Sequence, residues 1–239
     1  MRWNIKREVS FNTTLWIVIF AISMAFFESS VVVYLRELYY PGGFDFPLKP
    51  IEDHIAFTEF FRELFSLLMI LSVAFLASTK FYRQFANFLL IFAIWDIFYY
   101  VFLKVLLGWP TSFLTWDILF LIPVPWSGPV ITPVIISFIM ISLALVIYHY
   151  DSREDFQIDL KDWSGLIIGA CIVFIAFIWD YMSYFIDHAG AHPEKNIFSQ
   201  VKGLAETYRP EQFNWILFVI GSFFLAGVVF RIYRRNNIS

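Results

Sequence analysis

The sequence predicts an all-α fold: a polytopic transmembrane helical bundle of about six spans, with a short re-entrant or interfacial half-helix before the fourth. Three observations predict it. Of 239 residues, 59% are hydrophobic and 15% charged, whereas a soluble domain carries roughly 25% charged residues. Aromatic residues make up 21% of the chain, with 30 Phe, 12 Tyr and 9 Trp, more apolar surface than one small core can hide. The apolar residues also gather into runs close to the roughly 20 that a helix needs to cross a bilayer.

Spans are placed near residues 12–38, 55–78, 85–107, 129–149, 163–186 and 212–231, all within a single membrane domain. Arg2, Lys6 and Arg7 before the apolar stretch Leu15–Phe27 resemble the start of a signal peptide. No small-x-small cleavage site follows, so the run is read as an uncleaved first span. Between the third and fourth spans, Phe113–Ile122 is apolar but too short to cross. It ends at Pro123, Pro125 and Pro129, which lack the backbone donor a helix needs, and is read as a half-helix over 113–122. The acidic stretch 150–162 reads as a solvated connector.

Lysine and arginine beside the spans set the orientation. With the N-terminus inside, ten basic residues fall on the inner side and seven on the outer. The chain is therefore expected in a bacterial cytoplasmic membrane as a multi-pass protein with both termini cytoplasmic. A net charge of −3 with no long basic run gives no sign of nucleic-acid binding. Cys171, the single cysteine, rules out an intramolecular disulfide.

Ionisable groups at membrane depth are costly and mark function by default. Here they crowd toward one end of the spans. Glu28 lies in the outer half of span one, with Arg36 at its rim. Glu59, Arg62 and Glu63 share a face of span two at i, i+3 and i+4. Asp96, Tyr99, Tyr100 and Lys104 form a stripe on span three, and Asp180, Tyr184, Asp187 and His188 another on span five. The inner halves, such as Leu67–Ser78 and Gly165–Phe177, contain no charge. Their small residues, Gly169, Ala170, Gly221 and Gly227, favour close helix contact.

This asymmetry predicts a polar cavity open outward and sealed inward, with Asp180, Tyr184, Asp187 and His188 as one wall. Glu28, Glu59, Glu63, Asp96, Asp180 and His188 are the candidate acid–base groups. Arg36, Arg62, Lys104, Tyr184 and Asp187 are the candidates for substrate contact. The same charges also fit a buried network that fixes helix register. His188 and His192, four apart, are the candidate ligands for a divalent metal; the structural alternative is two loop histidines near lipid headgroups.

Such a pocket suits a lipid-like or lipid-linked substrate, with membrane lipid as partner, in an enzyme or a binding protein. The alternative is a non-catalytic subunit of a larger membrane complex, or a homo-oligomer held through the aromatic faces. A transporter fits less well, because the inner halves carry no polar path. No P-loop, nucleophile-elbow, H-E-x-x-H or C-x-x-C motif is present.

Overall fold

The computed structural model describes residues 11–153, 156–188 and 197–237. It is a helical bundle with one small hairpin. The helices are α1 (Phe11–Tyr39), α2 (Asp53–Leu76), α3 (Phe81–Leu107), α4 (Ile131–Tyr150), α5 (Leu160–His188), α6 (Ile197–Ala205) and α7 (Trp215–Asn237). Five of them, α1, α3, α4, α5 and α7, are long and apolar enough to cross a membrane. The 24 residues of α2 match them in length, but its first half carries Asp53, Glu59, Arg62 and Glu63.

The segment expected as a half-helix is not helical. Trp116–Phe120 (β1) and Trp126–Pro129 (β2) pair as an antiparallel hairpin, with Asp117 opposite Gly128 and Ile118 opposite Ser127. Alternation explains why. In β1, Asp117 turns inward and is buried, while Trp116 and Ile118 project the other way from the pleat. The prolines of 123–129 deny a helix its donors, and a two-stranded turn tolerates them. Gly128 is needed here, since a Cβ would lie 3.0 Å from the Phe213 ring.

The helix contacts run in order: α1 and α2 lie on α3, α3 on α4, α4 on α7, and α7 on α5. The α5–α7 seam is close-packed, and glycine makes it so. A Cβ on Gly169 would sit 2.8 Å from Leu225, and one on Gly221 2.8 Å from Val173. These two glycines do what the sequence predicts of them. Gly227 faces open space, and Ala170 faces the cavity described below.

Ion pairs define two ends of the bundle. At the end away from the hairpin, Arg83 binds Asp151 at 2.5 and 2.8 Å, and Arg231 binds Asp162 at 2.8 Å. Asp159 and Asp162 each accept the other's backbone N–H at the start of α5, a reciprocal cap. The acidic stretch before α5 is therefore no solvated connector. Asp151 and Asp162 are buried and tie α3 and α7 to the loop.

Candidate functional site

A cavity of about 1020 Å³ runs through the bundle, lined by residues of α1 to α6, the hairpin and Leu225 of α7. Its walls change character along their length. Toward the hairpin end stand Glu28, Arg36, Glu59, Arg62, Glu63 and Asp96. These six residues, picked from the sequence as site candidates, converge on one space. Farther in, the lining is Leu89, Phe92, Met140, Leu143, Leu166 and Phe174, and the floor is Phe85 and Trp163, whose rings sit 5.0 Å apart. On α3 the lining extends from Phe85 to Tyr100, a rise of about 22 Å along the helix. That is roughly three quarters of a 30 Å hydrocarbon core.

The charged wall is built from helix periodicity. Glu59, Arg62, Glu63 and Ser66 follow i, i+3, i+4, i+7 spacing, so α2 turns all four toward α1 and the cavity. Arg62 forks onto Glu59 at 2.8 and 2.5 Å and gives a further N–H to Glu28 on α1. Ser66 donates to the other Glu28 oxygen at 3.4 Å. One guanidinium thus holds two carboxylates and joins α1 to α2. Glu63 is not part of that fork. It accepts the backbone N–H of Leu121 at 2.8 Å, which anchors the hairpin tip over the cavity.

A second cluster lies between α1, α3 and the hairpin. Arg36 and Asp117 form a buried ion pair at 3.2 Å. The guanidinium is covered by the Trp109 ring at 3.8 Å and the Phe44 ring at 4.4 Å, a cation–π arrangement that replaces water. Asp96 accepts the Ser137 hydroxyl of α4 at 2.8 Å. Three buried polar atoms on the cavity lining have no hydrogen-bond partner: Arg36 Nη1, Trp95 Nε1 and Asp117 Oδ2. Unmet polar groups are rare in folded interiors and ask for an explanation.

The stripe on α5 does something else. Asp180, Tyr184, Asp187 and His188 do not line the cavity. Asp180 accepts the Tyr208 hydroxyl at 2.6 Å and the backbone N–H groups of Glu211 and Gln212, so it clamps the loop before α7. Burial and the Asp180 carboxylate raise the Tyr208 phenol above its ordinary range, so it remains a donor. Tyr184 donates to Thr207 at 2.9 Å. His188 is exposed, stacks on Tyr184 and contacts its carbonyl. The expected wall fails because α5 turns this stripe toward the 206–214 loop, while Phe174 and Phe177, one to two turns earlier, face the cavity. Lys104 also stays outside: its ammonium caps the Gly108 and Pro110 carbonyls at 2.9 and 2.8 Å. His192 lies outside the described residues, among which no three His, Cys, Asp or Glu side chains are grouped to hold a metal ion.

Sequence reasoning missed Asp117, whose buried partner is Arg36, and the rim pair Lys202–Asp53 that links α6 to α2. The Trp116-Asp117 dipeptide was a visible signal, but reading its segment as helix hid which side the aspartate takes. Lys202 holds the Asp53 carboxyl below its ordinary value. No protein-family model, curated protein or solved structure matches this chain, so the cavity itself carries the functional reading.

Proposed function

We propose that this membrane protein binds an amphiphile inside the bilayer, with the polar head among Arg36, Arg62, Glu63 and Asp96 and the apolar chain along α3, α4 and α5. One observation carries the reading: a single cavity joins a charged end to a long apolar arm. Its volume of about 1020 Å³ stands at the top of the range of small-molecule sites, ~300–1,000 Å³. An isolated polar pocket would suit a soluble ligand, and an isolated apolar one a packing defect. Membrane lipid, or a molecule linked to a lipid, is the class with both halves. Were the bound molecule also transformed, Glu63 or Asp96 would be the general base, since Glu28 and Glu59 are already engaged by Arg62.

The test fills the arm and leaves the head region alone. Met140→Trp and Ala170→Trp both project into the apolar lining. Protein extracted in mild detergent is expected to carry a stoichiometric amphiphile, identified by mass spectrometry of the extract, and each variant to lose most of it. Equal amphiphile content in folded wild type and variants would sink the proposal.

A non-catalytic subunit of a membrane complex is the second reading. The reciprocal Glu28–Arg62–Glu59 pairing favours it, because a network that satisfies itself also fixes helix register. On that reading the filled-arm variants change stability and leave the bound lipid as it was.

A further inference from the structure

Resting on the amphiphile reading, we infer that the head this cavity takes is cationic, an ammonium flanked by an oxygen acceptor such as an ester, amide or hydroxyl group. The inference begins from charge pairing. Among the described residues, six carboxylates and four basic groups line the cavity. Arg62 engages Glu28 and Glu59, Arg36 engages Asp117, and Lys202 engages Glu206 together with Asp53. Lys49 stands exposed at the rim. Glu63 and Asp96 are left over, held only by one backbone N–H and one serine hydroxyl. A carboxylate in an apolar setting without a cation is costly, and an arriving ammonium removes that cost.

Two further observations point the same way. Asp117, 2% exposed, keeps Oδ2 without a hydrogen-bond partner while lining the cavity. Arg36 binds Oδ1, the Tyr100 hydroxyl and the Ile118 N–H approach the same carboxylate, and Oδ2, which makes no hydrogen bond, is the acceptor a ligand N–H can use. The lining beside these acids is aromatic: Phe92, Trp95, Tyr99 and Tyr100 of α3, with Phe60 of α2. Aromatic faces attract cations and do nothing for anions. The unpartnered donors, Arg36 Nη1 and Trp95 Nε1, suit a neutral oxygen next to the ammonium. An anionic head would instead meet the acid surplus, a built-in discrimination.

The experiment offers three single-chain amphiphiles with the same alkyl tail, carrying glycinamide (a primary ammonium beside an amide), maltoside or phosphate heads. They are given as an equimolar mixture to the full chain in neutral micelles, and adducts are read by native mass spectrometry. The ammonium adduct is expected to exceed the other two by about tenfold or more, the worth of one charge-assisted contact. In Glu63→Gln/Asp96→Asn that preference is expected to fall to the maltoside level. Should the double variant fail to fold, the single variants carry the test, each reducing the preference. Equal adducts in wild type, a phosphate preference, or an ammonium preference untouched by the substitutions would each overturn the inference. Met140→Trp separates the two readings. If it abolishes every adduct while no head is preferred, only the cationic head is wrong; if it abolishes none, the amphiphile site is wrong as well.

Discussion

At the scale of single residues, Arg62 matters most. Its guanidinium is the only cation that touches both Glu28 and Glu59 among the described residues. Half of this was legible in the sequence: Arg62 and Glu59 are three apart on one helix, so their contact follows from helical geometry. The other half was not. Glu28 lies 34 positions away, and only the packing of α1 and α2 on α3 brings it to Arg62. The Arg36–Asp117 pair, 81 positions apart, was further out of reach, because its aspartate sits in a segment whose secondary structure was misread. Breaking a buried pair by removing one partner strands the other charge, at about 3–5 kcal/mol. Arg62→Ala strands two carboxylates and is expected to destabilise by at least that lower bound. Arg62→Lys keeps the charge, loses the fork and is expected to fall between. Unfolding of the purified protein in mixed micelles ranks the three, and equal stability of Arg62→Ala and wild type would contradict the assignment.

At the scale of elements, α5 offers a packing test and a pH test. Its seam with α7 was readable from Gly169 and Gly221, because small residues let helices approach in a membrane. Gly169→Leu must displace Leu225, and overpacking of this kind costs about 1–3 kcal/mol. Gly227→Leu, which meets open space, is expected to be near neutral in the same micelle unfolding assay. The start of α5 depends on the Asp159–Asp162 cap. The backbone N–H of Asp162, with Arg231 and Arg235 nearby, holds the Asp159 carboxyl below its ordinary value of 3.8. A depressed acid contributes its full stability above that ordinary value and loses it as pH falls through the folded one. The Asp162 amide is thus expected to exchange slowly at pH 6 and to lose protection only below about 3.9. Asp159→Ala should expose that amide at both pH values, and an unchanged exchange profile would rule the cap out. The hairpin marks the limit of pattern reading: a ten-residue apolar run has no period long enough to separate strand from helix. The alternation Trp116, Ile118 against Asp117 was present, and burial on the aspartate side decided the matter.

At the scale of the whole molecule, α2 decides how many times the chain crosses. Large apolar side chains such as Leu76, Phe138, Ile168 and Phe223 are exposed around the bundle, a belt suited to lipid tails. Five helices meet the criteria of length and composition; α2 is the case to decide. Its 24 residues rise about 36 Å, more than the ~30 Å core. Its charges do not stop it from crossing, because Glu59, Arg62 and Glu63 face the cavity and not lipid. Its two ends also lie with opposite ends of the bundle. Asp53 meets Lys202 near the hairpin, while Lys80, just past its C-terminus, reaches the Asp151 carbonyl at 3.3 Å. Six crossings are therefore expected, with Lys49 and Lys80 on opposite faces and, from the basic-residue bias, Lys80 on the cytoplasmic one. In a Cys171→Ser background, Lys49→Cys and Arg209→Cys should react with a membrane-impermeant maleimide on intact cells. Lys80→Cys and Arg153→Cys should react only after permeabilisation. Labelling of Lys49→Cys and Lys80→Cys from the same side would take α2 out of the membrane. It would also leave Glu59, Arg62 and Glu63 without the bilayer setting on which the cavity's reading depends.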